Sequence, residues 1–350
     1  MSLQEEHDLA LTVAPVGAEA LEAGLAADVT GAIEARGYWQ NVWRTFKRDK
    51  VAIGGGVTII LLIIVCYAGG PIFSRILGHG PNQIYDGAVT AGGNPVGPWA
   101  HFLAVPFTPS SGTVFFPLGS DGAQGRDEFL RLLYGGQVSL EIAVFATLVS
   151  LALGVALGAA AGYYGGAIDM VISRITELVM AFPIILFVIA LSAVAGPQLN
   201  GITFGFLQRG VFTITIVLAI FGWFYPARIA RAQVLSLREK EFIEAARMVG
   251  SSDWRIMRSH LLPHLVAPMI VLGTINVGQN VLAEAGLSFL GVGIQDPTSS
   301  WGSLLEEAPQ YYLQVPWLML WPGLAILITT LAFNLLGDGL RDAFDPRTAR

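Results

Sequence analysis

Residues 142–164 read IAVFATLVSLALGVALGAAAGYY. The stretch holds no Asp, Glu, Lys or Arg. As a helix rising about 1.5 Å per residue, it is long enough to cross a bilayer core about 30 Å thick. Gly154, Gly158 and Gly162 recur every four residues, which puts three glycines on one helix face and lets a neighbour approach closely.

Five further blocks share this character: Val51–Phe73, Leu178–Gly196, Val211–Ala230, Leu265–Ala283 and Val315–Gly337. None contains lysine, and their one arginine is Arg228, near the end of the fourth span, which Gly222 and Pro226 also interrupt. A mid-membrane charge costs about 2.5–3.5 kcal/mol, so this near absence of charge is what spanning requires. The first block follows 50 mostly polar residues and lacks a small-residue cleavage site, so it is expected to stay as a span. The fold class is therefore all-α, a polytopic membrane protein with six transmembrane helices. Only 13% of the residues are charged, against ~25% in soluble domains. The net charge of −6 argues against a nucleic-acid surface, and one cysteine, Cys66, allows neither an intrachain disulfide nor a cysteine metal site.

With the N-terminus inside, 16 of the 20 basic residues fall on cytoplasmic segments, leaving Arg75, Arg126, Arg131 and Arg209 outside. This positive-inside bias places both termini in the cytoplasm. Residues 1–35, rich in Ala, Gly and Glu, are expected as a cytoplasmic tail, and 36–50, with Trp39 and Trp43 among basic residues, as an amphipathic lead-in at the membrane surface. Residues 74–138 are expected as a proline-rich extracytoplasmic loop, closing with a short surface helix over Gly125–Gly136. A five-helix core follows over 139–340, then a cytoplasmic tail, 341–350.

The connection 231–264 is unlike a plain loop. Phe242, Ala245, Ala246 and Val249 sit at i, i+3, i+4 and i+7, one helical stripe, and Gly250 stands where a helix end favours positive φ. Ser251 and Ser252 offer capping oxygens to a second helix, which carries Trp254, Met257 and Leu261 and is expected to stop at Pro263.

Glu244-Ala245-Ala246, three residues, Gly250, and Leu262-Pro263 twelve residues on resemble the EAA signature of ATP-binding-cassette importer permeases, with His260 where isoleucine is common. Gly162-Tyr163-Tyr164-Gly165-Gly166, Ala181-Phe182-Pro183, Ala283–Gly291 and Asn334–Asp342 are similar to the dipeptide/oligopeptide/nickel subfamily, in particular the second permease of its pair. The resemblance covers residues 118–347, with Gln137 where a basic residue is usual. It implies a permease subunit of a binding-protein-dependent importer in a prokaryotic inner membrane, most simply for di- or oligopeptides. The implied partners are a homologous second permease, two ATPase subunits and an extracytoplasmic binding protein. It also implies that Phe242, Glu244, Ala245, Ala246, Arg247, Gly250, Leu262 and Pro263 couple to an ATPase.

No lysine follows a glycine, so no phosphate loop exists in the chain, and ATP and Mg belong on the partners. No catalytic or metal constellation is evident: His260 and His264 flank Pro263 without a third ligand. Asn276, Gln279, Asn280, Glu284 and Asn334 are polar at membrane depth, so they either line the translocation path or hydrogen-bond between helices. An ion-coupled secondary transporter working without an ATPase is the alternative. It would place ionisable residues or broken helices near the midplane, and neither is clear here.

Overall fold

The computed structural model describes residues 38–103, 112–181 and 210–345, with 183, 186, 189 and 190 between the last two ranges. Ten helices are used below: α1 Tyr38–Phe46, α2 Lys50–Leu77, α3 Glu128–Tyr164, α4 Gly166–Ala181, α5 Val211–Gly222, α6 Phe224–Leu237, α7 Glu241–Met248, α8 Asp253–Phe289, α9 Trp301–Glu307 and α10 Trp317–Phe344. Five helical runs are long and apolar enough to cross a membrane: α2, α3, α5 with α6, α8 and α10. The third expected span, Leu178–Gly196, starts in the last turn of α4, and most of it lies outside the described residues, as do residues 1–35. Five of the six expected spans are thus seen, and the described residues are mostly helical.

The runs pack in a chain of neighbours: α2 on α10, α10 on α8, α8 on α3, and α3 on α5 and α6. Small residues set the closest approaches. A Cβ on Gly55 would lie 2.7 Å from the Ala332 carbonyl, and one on Gly339 would strike Ala52. On α3 the glycine stripe faces α6. A Cβ on Gly154 would lie 2.7 Å from the Trp223 carbonyl, and one on Gly158 2.9 Å from Ala227 Cα. One on Gly162 would lie 2.8 Å from the Arg231 carbonyl. The fourth span runs past its expected end to Leu237. Pro226 is tolerated because α6 restarts at Phe224, so the missing N–H falls in a first turn.

Two expectations need correction. The Gly125–Gly136 segment is not a separate surface helix. Asp127 caps the N–H groups of Phe129 and Leu130, and α3 then runs unbroken for 37 residues. No proline interrupts it, and Gly135 and Gly136 fit flat against Ser300 and Trp301. The second helix of the cytoplasmic connection likewise does not stop at Pro263. It passes through a π turn, Met257–Leu261, into the fifth span as one 37-residue helix. Proline clashes with the carbonyl four residues back in an α-helix; the wider π turn just before Pro263 relaxes that ladder.

Between the first two long helical runs, residues 78–103 and 112–127 pack around Tyr85, Ala88 and Phe116, with a two-stranded antiparallel sheet pairing β1, Ala100–Leu103, with β2, Thr113–Phe116. Arg126 and Arg131 are buried and link two loops distant in sequence. Arg126 donates to Asp121 at 2.7 Å and to Asp296 at 2.9 Å. Arg131 donates to Asn82 at 2.8 Å and to Asp296 at 3.2 Å.

The α3 cap itself is buried. Asp127 is fully enclosed with His79 Nε2 3.4 Å away, and burial, with Asp121 nearby, pushes its carboxyl up to about 7. The folded value exceeds the ordinary 3.8, so the folded state holds this proton more tightly than the unfolded chain does. Stability is therefore lost as pH rises from about 4 to about 7, by up to about 4 kcal/mol. Asn still caps a helix. Asp127→Asn is expected to raise the melting temperature at pH 8 and to lose that advantage near pH 4.5, as read by thermal unfolding across the range. A difference that did not change with pH would contradict the assignment.

Candidate functional site

The corner between the fourth and fifth spans is built from α7 and the start of α8. Glu241 and Glu244 lie in the first turn of α7 and Arg247 in its last, each on the side the helix dipole favours. The helix ends in a full Schellman motif. Ser251 N–H donates to the Ala246 carbonyl at 3.0 Å, Gly250 N–H donates to Arg247 at 2.9 Å, and Gly250 has φ +82°. Ser252 occupies the N-cap position of α8, but its side chain makes no capping hydrogen bond, contrary to expectation.

One residue that the stripe reading passed over anchors α7. Ile243 is fully buried among Ala230, Val234, Ile256, Leu261 and Leu265. Ala246 leans on the same cluster, as does Leu262. The rest of the stripe points away: Phe242 is 42% exposed and Val249 87%, with Met248 beside them at 83% and Trp254 at 66% across the corner. Glu244, Ala245, Arg247 and Pro263 are also exposed. The structure thus gathers Phe242, Glu244, Ala245, Arg247 and Gly250 on one outward-facing helix, while Phe242 rests 5.9 Å from the His264 ring, beside Leu262 and Pro263.

A second connection ties this corner to α3, the second span. Tyr163, from the Gly-Tyr-Tyr-Gly-Gly motif at the end of α3, donates its hydroxyl to Asp253 at 2.7 Å. The Arg247 guanidinium lies 5.6 Å over the same ring. The sequence contains both partners, but no spacing links residues so far apart.

The polar residues at membrane depth divide. Asn280 donates to Thr147 at 2.9 Å, joining α8 to α3. Glu284 lies inside α8, not beyond the span, and is fully buried. It accepts from Ser139 at 2.8 Å and Ser288 at 2.7 Å. Those two hydroxyls in turn accept the N–H groups of Trp301 and Ile294, both at 3.1 Å. Asn276 and Asn334 are half-buried on their helices, and Gln279 is exposed on α8.

Two family models match. Residues 154–350 match the binding-protein-dependent transport system inner membrane component, and residues 37–89 the N-terminal transmembrane domain of oligopeptide transport permease C. The dipeptide transport system permease protein DppC of Alkalihalophilus pseudofirmus is 39% identical over 311 residues, covering 88% of this chain and 90% of that one. The glutathione transport system permease protein GsiD of Escherichia coli O157:H7 is 38% identical over 315 residues, covering 90% of this chain and 92% of that one. A chain of the inward-facing MetNI methionine transporter aligns with a TM-score of 0.46 at 20% identity, over 61% of this chain and 95% of that one. With five helical runs long and apolar enough to cross a membrane, the two family-model matches and the DppC and GsiD relatives, the chain belongs to the binding-protein-dependent transport system inner membrane component family, as the permease subunit of an ATP-binding-cassette importer whose ATPase is a separate subunit.

Proposed function

We propose that this chain forms half of the path by which a di- or oligopeptide enters the cell, beside a homologous second permease. One of two ATPase subunits docks on α7, an extracytoplasmic binding protein delivers the cargo, and both termini lie in the cytoplasm. The observation that carries this reading is the apolar ridge of Phe242, Met248, Val249 and Trp254, left bare in the chain alone while Ile243 holds α7 to the bundle. An amphipathic helix that served only its own chain would bury its ridge. Glu244 and Arg247, on the same outward helix, supply charge for a partner groove. The relatives named for dipeptide and glutathione support a short peptide as cargo. Gln279, exposed on α8 at a depth where lipid offers no hydrogen bonds, fits the path or the second permease better than the bilayer.

The test is purification of the tagged chain from its native membrane in mild detergent, with Glu244→Arg and Gly250→Trp alongside. The wild type is expected to bring a second permease and ATPase chains. Glu244→Arg is expected to lose ATPase, on the order of tenfold, through misplaced charge. A Cβ at Gly250 meets nothing within 4 Å, so Gly250→Trp acts through its positive φ, which costs a side chain about 1–2 kcal/mol and opens the corner. ATPases retained in both variants, or a wild-type chain that comes alone, would overturn the reading.

A further inference from the structure

A cavity of about 210 Å³ lies between α4 and α6, floored by Gly158 of α3. Its polar lining is Ser173, Thr176, Glu177, Arg228 and Arg231. Most of these groups already have partners. Arg231 grips Asp169 with two hydrogen bonds, at 2.5 and 2.7 Å, and Ser173 donates to the same carboxylate at 3.1 Å. Thr176 donates to the Ile172 carbonyl at 2.8 Å, and Glu177 accepts from Arg174 at 2.9 Å.

Arg228 is different. One turn before Arg231, its acceptor among the described residues is the Met180 thioether at 3.6 Å, a weak acceptor. A guanidinium near the end of a spanning helix keeps its charge under all conditions, and such residues ordinarily pair with a carboxylate or mark a ligand path. Among the described residues no carboxylate hydrogen-bonds Arg228, although Glu177 lines the same cavity, and the exposed guanidinium borders the open volume.

We propose that Arg228 makes this cavity a binding site for a single oxyanion, a carboxylate or a phosphate. The planar fork of guanidinium matches two oxygens of either group. Glu177 on the same wall repels a polyanion, which restricts the site to one negative group. Two sources carry that chemistry. One is the terminal carboxylate of a peptide cargo, which rests on the function proposed above. The other is the phosphate of a lipid headgroup from the cytoplasmic leaflet, where basic pockets between helices bind such groups.

The test uses the whole complex, purified with wild type, Arg228→Gln and Arg228→Lys. Binding of inorganic phosphate, alanylalanine and alanylalanine amide is measured by calorimetry, and retained lipid by native mass spectrometry. Wild type is expected to bind phosphate, and Arg228→Gln to bind it on the order of tenfold more weakly. Arg228→Lys keeps the charge without the fork, is expected to fall between them, and is read alone if the glutamine variant does not assemble. Dipeptide binding that the amide lacks assigns the cargo. A phospholipid retained by wild type and lost from the variants assigns the lipid. Phosphate affinity, dipeptide affinity and lipid retention all unchanged in the variants would overturn the site. Absence of ATPase chains from the same purification would count against the importer assembly instead, and leaves the phosphate measurement readable.

Discussion

Gly158→Leu is expected to leave little folded permease in the membrane. A Cβ at this position would strike the Ala227 carbonyl oxygen and lie 2.9 Å from Ala227 C and Cα. These are backbone atoms of a neighbouring helix, so no side chain can turn aside to make room. Overpacking a well-fitted interior costs about 1–3 kcal/mol even when side chains can adjust, and a branched side chain against a rigid backbone belongs at or above that limit. Gly158→Ala is expected to lower the melting temperature of detergent-purified protein, and Gly158→Leu to abolish the folded fraction in size-exclusion chromatography. Gly286→Ala is the matching control: nothing lies within 4 Å of its added Cβ. Equal losses at Gly158 and Gly286 would mean that close approach of α3 and α6 is not what the stripe provides.

The second large effect is expected at Glu284. Replacing it with leucine strands the hydroxyls of Ser139 and Ser288, which also hold the N–H groups of Trp301 and Ile294. Each buried group left without a partner costs about 1–3 kcal/mol, so about 3 kcal/mol or more is expected in total. Glu284→Gln retains the shape and one acceptor, and a smaller loss is expected. Ser139→Ala and Ser288→Ala should each cost roughly 1 kcal/mol. Unfolding temperature and transport rate, measured on the same preparations, separate two roles for this carboxyl. A network that fastens the outer connection loses stability and transport together. A path residue would change transport and leave stability intact.

The spans and the glycine stripe were readable in the sequence because a bilayer imposes length and apolarity on a helix, and every fourth residue shares its face. The Gly250 corner was readable for a similar reason, since positive φ leaves a local mark. What escaped depended on information that local pattern does not carry. Helical period grouped Phe242, Ala245, Ala246 and Val249 correctly, but period alone does not say which face meets the bundle, and Ile243 proved to be the buried side. Pro263 was read as a stop because its usual cost assumes α-helical geometry, which a π turn removes. Asp121, Arg126, Arg131 and Asp296 meet across loops separated by more than the length of several spans, beyond the reach of spacing. The residues proposed to couple to an ATPase rest on the family signature, since without it an exposed stripe and a buried one look alike.

Because α8 runs 37 residues from the α7–α8 corner to the connection before α9, it is a rod about 55 Å long. Such a rod works as a lever. A tilt of about 5° pivoting at its cytosolic end sweeps the far end through ~5 Å, roughly one helical turn. The Glu284 clamp sits close to that far end, so a small rotation imposed at Trp254 arrives there magnified, and the loop between Leu290 and Ser300 is carried along with it. The π turn at Met257–Leu261 and Pro268, both near the corner end, are where the α-helical ladder is irregular, so the packing of Met257, Leu261 and Leu265 in the buried cluster has to keep the lever stiff.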